Sequence, residues 1–253
     1  KVKPLAKKAE VSCPKIARNQ DQYQKMLPQR QRLPVYQQRE ELLETINKNQ
    51  ITIVHANTGT GKSTNIPQLL LEQQNCRILV TEPRRIAAIS LATRVAEEMG
   101  CQLGKEVGYQ VKGLSKMTHT TQIQFATIGI LIRKLIADLG EILRYDFILI
   151  DEVHERDLQV DCLLGILKIL FQLKVQNLPK IVIMSATLDG AKFCAYFGGT
   201  TIGQFELASK LYPTETRYLD EMLDYGVRLP SKLVKQQSRE EDEDAELFED
   251  VIK

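Results

Sequence analysis

The sequence predicts an α/β fold, a mostly parallel sheet with helices on both faces. Short β-branched runs bounded by Gly, Pro or polar residues alternate with longer helical patterns through the middle of the chain. Strand, helix, strand in repetition is what such a sheet requires. The residues that carry chemistry follow directly after strand candidates, at the carboxyl ends where parallel sheets bind ligands. At 253 residues, 43% of them hydrophobic, the chain can bury a real core as one domain with tails.

In chain order, the expected elements begin with a helix over 38–47, a strand over 51–56 (Ile-Thr-Ile-Val-His-Ala) and a helix over 63–73. A strand at 77–81 and a helix at 85–99 come next, then a strand at 122–126 and a helix at 128–138. Strand 147–150 is Phe-Ile-Leu-Ile, apolar throughout as a strand covered on both faces must be. A helix at 159–173 and a strand at 181–184 complete the alternation. After Tyr212-Pro213 it thins to one strand-like stretch at 215–218. The expected division is a basic, flexible extension at 1–32, a domain at 33–213, and a strap with an acidic linker at 214–253.

Net charge is only +2, but it is unevenly spread. Residues 1–33 carry nine basic side chains against two acidic ones, and residues 239–253 carry eight acidic against two basic. The basic arm reads as a solvated tail, with phosphate contact as the alternative, and the acidic run as a solubilising linker. Cys13, Cys76, Cys101, Cys162 and Cys194 form no Cys-x-x-Cys pair and are scattered at wide intervals. That pattern argues against a zinc site or a disulfide framework, so reduced thiols in a cytoplasmic or nuclear protein, not a secreted one, are expected. The longest apolar stretch, 162–173, is interrupted by Gly165 and Lys168 and falls short of the roughly 20 residues that span a bilayer, so no membrane partner is expected. The chain opens Lys-Val-Lys-Pro without an initiator Met or an apolar leader, from which a piece of a longer protein is expected.

The first strand runs into Ala56-Asn57-Thr58-Gly59-Thr60-Gly61-Lys62-Ser63-Thr64, with a helix behind it. Gly59 and Gly61 let the backbone of the loop through Thr60 and Thr64 curl until successive N–H groups point at one anion, and the helix N-terminus adds its positive end. Lys62 is placed to neutralise β- and γ-phosphates, and the Ser63 hydroxyl to ligate Mg²⁺, so ATP with Mg²⁺ is the expected cofactor. Strand 147–150 ends in Asp151-Glu152-Val153-His154, which puts two carboxylates at the same edge of the sheet. Asp151 can hold Mg²⁺ and its waters, while Glu152 can help hold the metal and can orient and deprotonate the attacking water.

Asp151-Glu152-Val153-His154 resembles the DEAH/DExH-box signature of superfamily 2 helicases, with Val153 where the namesake subgroup has Ala. Ser185-Ala186-Thr187 resembles that family's third motif, and Thr81-Glu82-Pro83-Arg84-Arg85-Ile86-Ala87-Ala88 its motif Ia. Thr127-Ile128-Gly129 resembles motif Ib, and Leu33-Pro34-Val35-Tyr36 the opening segment, all in the family's order across about 33–213. The resemblance implies the N-terminal RecA-like lobe of such a helicase, with a P-loop NTPase fold, nucleotide hydrolysis, and translocation on or unwinding of RNA. It implies that Ser185, Thr187 and His154 join Lys62, Asp151 and Glu152 in the catalytic set. His154 reads as a coupler between motifs and not a metal ligand, because no second His or Cys lies at ligand spacing. His55 and His119 read as structural.

The resemblance also implies that Arg84, with Arg85 and Thr127, grips a nucleic-acid backbone. Lys112 sits where relatives often have Arg, which keeps the charge without the bidentate fork. Arg94 matches the residue that relatives stack on the nucleotide base. The implied partner is single-stranded RNA with little sequence preference. A second RecA-like lobe with arginine fingers is implied as well, yet residues 214–253 hold nothing like its Gln-Arg-x-Gly-Arg-x-Gly-Arg pattern and read as the strap toward it. The chain is therefore expected to bind nucleotide better than it hydrolyses it. An ATPase that never unwinds, a nucleotide-binding scaffold among ribonucleoprotein or adaptor partners, and a DNA translocase stay open beside this reading. No residue announces a 2′-hydroxyl contact, so the choice of RNA rests on the resemblance.

Overall fold

The chain begins with three helices, α1 (Gln20–Gln31), α2 (Pro34–Gln37) and α3 (Arg39–Lys48), before strand β1 (Ile51–His55). Then follow α4 (Lys62–Gln73), β2 (Ile78–Glu82), α5 (Arg85–Met99), β3 (Val107–Val111), β4 (Leu114–Lys116) and β5 (Ile123–Thr127). The remaining elements are α6 (Ile128–Ala137), β6 (Phe147–Ile150), α7 (Leu158–Gln172), β7 (Lys180–Ser185), α8 (Gly190–Tyr196) and β8 (Ile202–Glu206). This computed structural model describes residues 18–57, 59–186, 190–198 and 200–207, all inside a unit spanning Lys1–Ser209. The expected strand-like stretch at 215–218 and the end of the domain near 213 lie outside the described residues.

One eight-stranded sheet runs in the order β4-β3-β5-β2-β6-β7-β1-β8, parallel throughout except for β4, which pairs antiparallel with β3. Successive side chains of a strand point to opposite faces, and each face here has its own core. On one side Ile78, Val80, Phe125, Leu149, Val182 and Met184 pack with α3, α4 and α5 through residues such as Ile46, Ile66, Leu70, Ala92 and Val95. On the other, Leu79, Ile148, Ile150, Ile181 and Ile183 pack with α6 and α7 through Leu131, Leu135, Leu163 and Leu167. The expected mostly parallel sheet with both faces covered is therefore present, and its five apolar strands form within a residue of their expected ends.

Strands β3, β4 and β8 were not expected from the sequence. Val107–Val111 is broken by Gly108 and the half-buried Tyr109 and Gln110, and β8 is an edge strand whose only large buried side chain is Phe205. Neither run is apolar enough to announce itself; pairing with β5 and with β1 defines them.

Of the flexible extension expected at 1–32, residues 20–31 instead form α1, and residues 1–17 lie outside the described residues. Arg30, counted within a solvated basic arm, is 1% exposed. Its Nε donates to Asn65 Oδ1 at 3.0 Å and its Nη1 to Glu72 Oε1 at 3.1 Å, both on α4. The guanidinium lies 5.9 Å from the Tyr23 ring centre and 5.8 Å from that of Tyr36. Asn19 caps α1 and its backbone N–H donates to Gly100 O at 2.7 Å. Gly100 ends α5 with φ 63°, and a Cβ there would come 2.5 Å from Asn19 O, so only glycine lets α1 dock.

Candidate functional site

Four strands that are neighbours in the sheet, β2, β6, β7 and β1, bring their carboxyl ends together. The loop after β1 turns back through two left-handed glycines, Gly59 (φ 79°) and Gly61 (φ 86°). A Cβ on Gly61 would sit 2.8 Å from Leu33 Cδ1 and 3.1 Å from Asn65 Nδ2, both side-chain ends able to yield, so it is the positive φ that demands glycine. Ala56 N donates to Ser185 O at 2.9 Å, Thr60 Oγ1 to Asn57 O at 2.8 Å, and Thr64 Oγ1 to Gly61 O at 3.3 Å. Helix α4 starts at Lys62 with no side-chain cap on its first turn, leaving its N-terminal donors and dipole toward the loop.

The charged groups meet at this edge. Lys62 is only 4% exposed and its Nζ donates to Glu152 Oε1 at 3.2 Å. Ser63 Oγ donates to Asp151 Oδ2, and Glu152 N to Asp151 Oδ1 at 2.8 Å. Asp151 is 1% exposed, and burial pushes its pKa up against the lowering pull of the Ser63 hydrogen bond and the Lys62 charge. Glu152 adopts φ 53°, a left-handed backbone rare outside glycine and typical of sites held by their surroundings. That turn leaves Glu152 Oε2 3.3 Å from His154 Nδ1, which also lies 3.2 Å from Ser185 Oγ. Lys62, Glu152, His154 and Ser185 thus form one polar chain from the phosphate loop to the end of β7. Thr187 lies outside the described residues.

Ser63 and Asp151 set two hard oxygen donors side by side, which fits Mg²⁺. Among the described residues no group of three or more His, Cys, Asp or Glu could hold a metal ion by itself. That also suits Mg²⁺, which takes most of its ligands from phosphates and water. Beside them opens a cleft of about 420 Å³ walled by the loop, Leu33, Leu91, Arg94 and Glu98, within the size range of small-molecule sites. Arg94 Nε donates to Glu98 Oε1 at 2.7 Å, and the buried Glu98 also accepts from Gln68 Nε2 at 2.7 Å.

The remaining site residues fall on the next strands along. Thr127 ends β5 opposite Glu82 of β2, and Lys112 follows β3, the neighbour of β5. Arg84 and Arg85 open α5 just beyond β2, both exposed, with Arg84 Nη2 donating to Glu155 Oε1 at 2.9 Å. Lys112 is exposed in the β3–β4 turn, and Thr127 is half-buried with no capping bond from its side chain. The structure therefore gathers Arg84, Arg85, Thr127 and Lys112 along one stretch of the carboxyl edge, contiguous through β2 with the site at the glycine loop.

The profile of DEAD/DEAH box helicases matches residues 36–193, more than half of the chain. The chain belongs to the DEAD/DEAH box helicase family. Among its relatives, the ATP-dependent RNA helicase DHX29 of Mus musculus is 39% identical over 215 residues, 80% of this chain and 15% of that protein. The probable ATP-dependent RNA helicase DHR2 of Saccharomyces cerevisiae is 43% identical over 182 residues, 70% of this chain and 24% of its own. The probable ATP-dependent RNA helicase DHX40 of Homo sapiens is 41% identical over 191 residues, covering 73% of this chain and 24% of that one. The chain thus spans between 15% and 24% of the lengths of these three relatives. Its sheet is the RecA-like α/β fold of the family's ATP-binding lobe.

Within this helicase lobe, sequence reasoning passed over Glu82. It ends β2 with 2% exposure, facing Asp151 and Glu152, and its Oε1 is buried without a hydrogen-bond partner. Burial first, then the Asp151 and Glu152 charges, raise its pKa to about 9, so the carboxyl is a neutral acid beside Asp151 at neutral pH. The signal was there to find: an acidic residue closing the apolar run Ile-Leu-Val-Thr, one strand away from the paired carboxylates. Leu33, Glu98 and Gln68 were also missed as cleft residues: Leu33 comes from the loop before α2, and Gln68 and Glu98 meet only because α4 packs on α5. Among the described residues no helix is long and apolar enough to cross a membrane.

Proposed function

We propose that this chain is the ATP-binding core lobe of an RNA helicase, holding Mg²⁺·ATP at the ends of β1, β7, β6 and β2, and single-stranded RNA at the ends of β2, β5 and β3. The observation that carries this reading is the shared strand: β2 presents Glu82 to the carboxylates, and two residues later Arg84 opens the basic edge. Lys62 neutralises the β- and γ-phosphates, and Ser63 with Asp151 holds Mg²⁺ with help from Glu152. When bound, that ion withdraws charge from the transferred phosphoryl group. Glu152 orients the attacking water and takes its proton, its carboxylate held by Lys62 and His154. His154, bridging Glu152 and Ser185, passes movement of the carboxylate to the end of β7 and the Thr187 segment beyond. Arg94, braced by Glu98, stacks on the base.

Arg84, Arg85, Lys112 and Thr127 grip phosphates, which gives affinity without reading sequence. RNA is chosen over DNA because the relatives are named as RNA helicases. Unwinding belongs to the whole protein, in which a second RecA-like lobe supplies arginine fingers worth ~10³ to 10⁵ in turnover. The whole protein works in the cytoplasm or nucleus. Fluorescent-nucleotide titration tests the ATP half: Lys62→Ala loses binding while Glu152→Gln keeps it, and unchanged binding in Lys62→Ala refutes the assignment.

A further inference from the structure

The loop between β1 and α4 is held from behind by residues that precede β1. Successive backbone N–H groups are what such a loop offers an anion, so its geometry is decided by single peptide planes. A trans peptide sets its N–H opposite its C=O, and whatever fixes a carbonyl therefore aims the next residue's N–H. Thr60 O accepts from the Val35 backbone N–H at 3.4 Å, which turns the Gly61 N–H the other way. Gly61 O accepts from the Asn65 backbone N–H at 2.8 Å, as a first helical turn requires, and from Thr64 Oγ1 at 3.3 Å.

The Thr64 bond is the end of a directed line that starts on α1. A guanidinium only donates, so the 3.0 Å bond from Arg30 Nε fixes the Asn65 amide with Oδ1 toward α1. The amide nitrogen then faces Thr64, Nδ2 donating to Oγ1 at 3.2 Å, and the Thr64 hydroxyl keeps its own proton for Gly61 O. Arg30 is 1% and Asn65 0% exposed, so bulk water cannot stand in for a missing member of the line. The other arm of the guanidinium runs to the far end of α4, where Nη1 donates to Glu72 Oε1 at 3.1 Å. We infer that Arg30 is a positioning residue for phosphate binding, holding the Gly61–Lys62 peptide through Asn65 and Thr64 so that the Lys62 N–H faces the anion. This role rests on the ATP-binding reading and extends it to α1, which lies outside the glycine loop, the paired carboxylates and the basic edge.

Calorimetric titration of the 253-residue chain with Mg²⁺·ATP, and separately with Mg²⁺·tripolyphosphate, tests this. Arg30→Met should weaken both ligands alike by about tenfold, since one charge-assisted bond is at stake. Asn65→Leu should weaken them by as much and the double variant no further, because both changes cut the same line. Glu72→Leu cuts only the arm at the far end of α4; it should lower the melting temperature and leave both affinities unchanged. The amide signals of Gly61 and Lys62 should shift in Arg30→Met before any ligand is added. If Arg30→Met does not fold, Asn65→Leu is read in its place. Unchanged affinity in Arg30→Met, in a chain whose Lys62→Ala variant loses binding, overturns the positioning role and leaves the ATP-binding reading standing. So do additive losses in the double variant, an equal loss in Glu72→Leu, which would trace the effect to the docking of α1, or a loss for ATP without one for tripolyphosphate. Binding that survives in Lys62→Ala overturns the ATP-binding reading and this role with it.

Discussion

At the β1–β7–β6–β2 part of the carboxyl edge, Lys62 is 4% and Asp151 1% exposed, each held by a named partner. At the β2–β5–β3 part, the side chain of Arg84 is 75% exposed, and Arg85 and Lys112 stand in solvent. The two regions share strand β2 and two cores, so their difference lies in desolvation and not in scaffold. Buried charges act through a low effective dielectric, where each contact is strong and tightly directional. Exposed cations act weakly one at a time, and their strength comes from numbers and from counterions released by a polyanion. A small triphosphate suits the first arrangement and a sliding polymer the second.

The largest effect should come from removing what the regions share. Phe125 on β5 is 0% exposed, and Phe125→Ala should cost about 3–5 kcal/mol. Thermal unfolding followed by near-ultraviolet absorbance and by nucleotide binding should still show one coincident transition; two separate transitions would break the idea of a common scaffold.

Next is the buried acid. Below pH ~4.5 Glu82 is protonated in both native and unfolded chains; between there and its native pKa of about 9 only the unfolded chain ionises, so its contribution to stability declines as pH rises. Glu82→Gln removes that decline and should be the more stable protein at pH ~8, with the advantage shrinking toward pH ~5. Urea unfolding at the two pH values checks it, and an advantage that does not grow with pH would mean that the native carboxyl is ionised.

Arg94 sits between the two extremes, half-exposed but braced by Glu98. Arg94→Ala should lower adenosine nucleotide affinity about tenfold while leaving tripolyphosphate affinity intact, because a lost cation–π contact is worth about 1–2 kcal/mol. Equal losses for both ligands would place its role on the phosphates.

Smallest for the fold is Arg84→Ala, which should change stability by less than about 0.5 kcal/mol, since an exposed ion pair contributes little. Single-stranded RNA binding should weaken, with a salt slope lower by about 1. An unchanged slope would remove Arg84 from the nucleic-acid edge.

Much of the buried region was legible in the sequence. Gly59 and Gly61 announce left-handed turns, and Phe147–Ile150 ahead of Asp151 and Glu152 announces a central strand with carboxylates at its end. Arg30 was illegible because its partners Asn65 and Glu72 lie 35 and 42 residues away, and a cation in a basic run looks like any solvated tail. Glu82 was visible as a letter but not as a buried acid, since only the pairing of β2 with β6 sets it beside Asp151.

What the sequence determined by itself was therefore local: where glycine must turn, which runs are apolar on both faces, and which residues end a strand. Those follow from steric limits and side-chain period, which act over a few neighbours. The tertiary structure alone decided strand order, and with it which ends are adjacent. It sets β2 between β5 and β6, so one strand borders both the buried charged site and the basic edge. Burial and its effects on charge follow from that order, because desolvation depends on every element that closes over a group and not on the residues beside it in the chain.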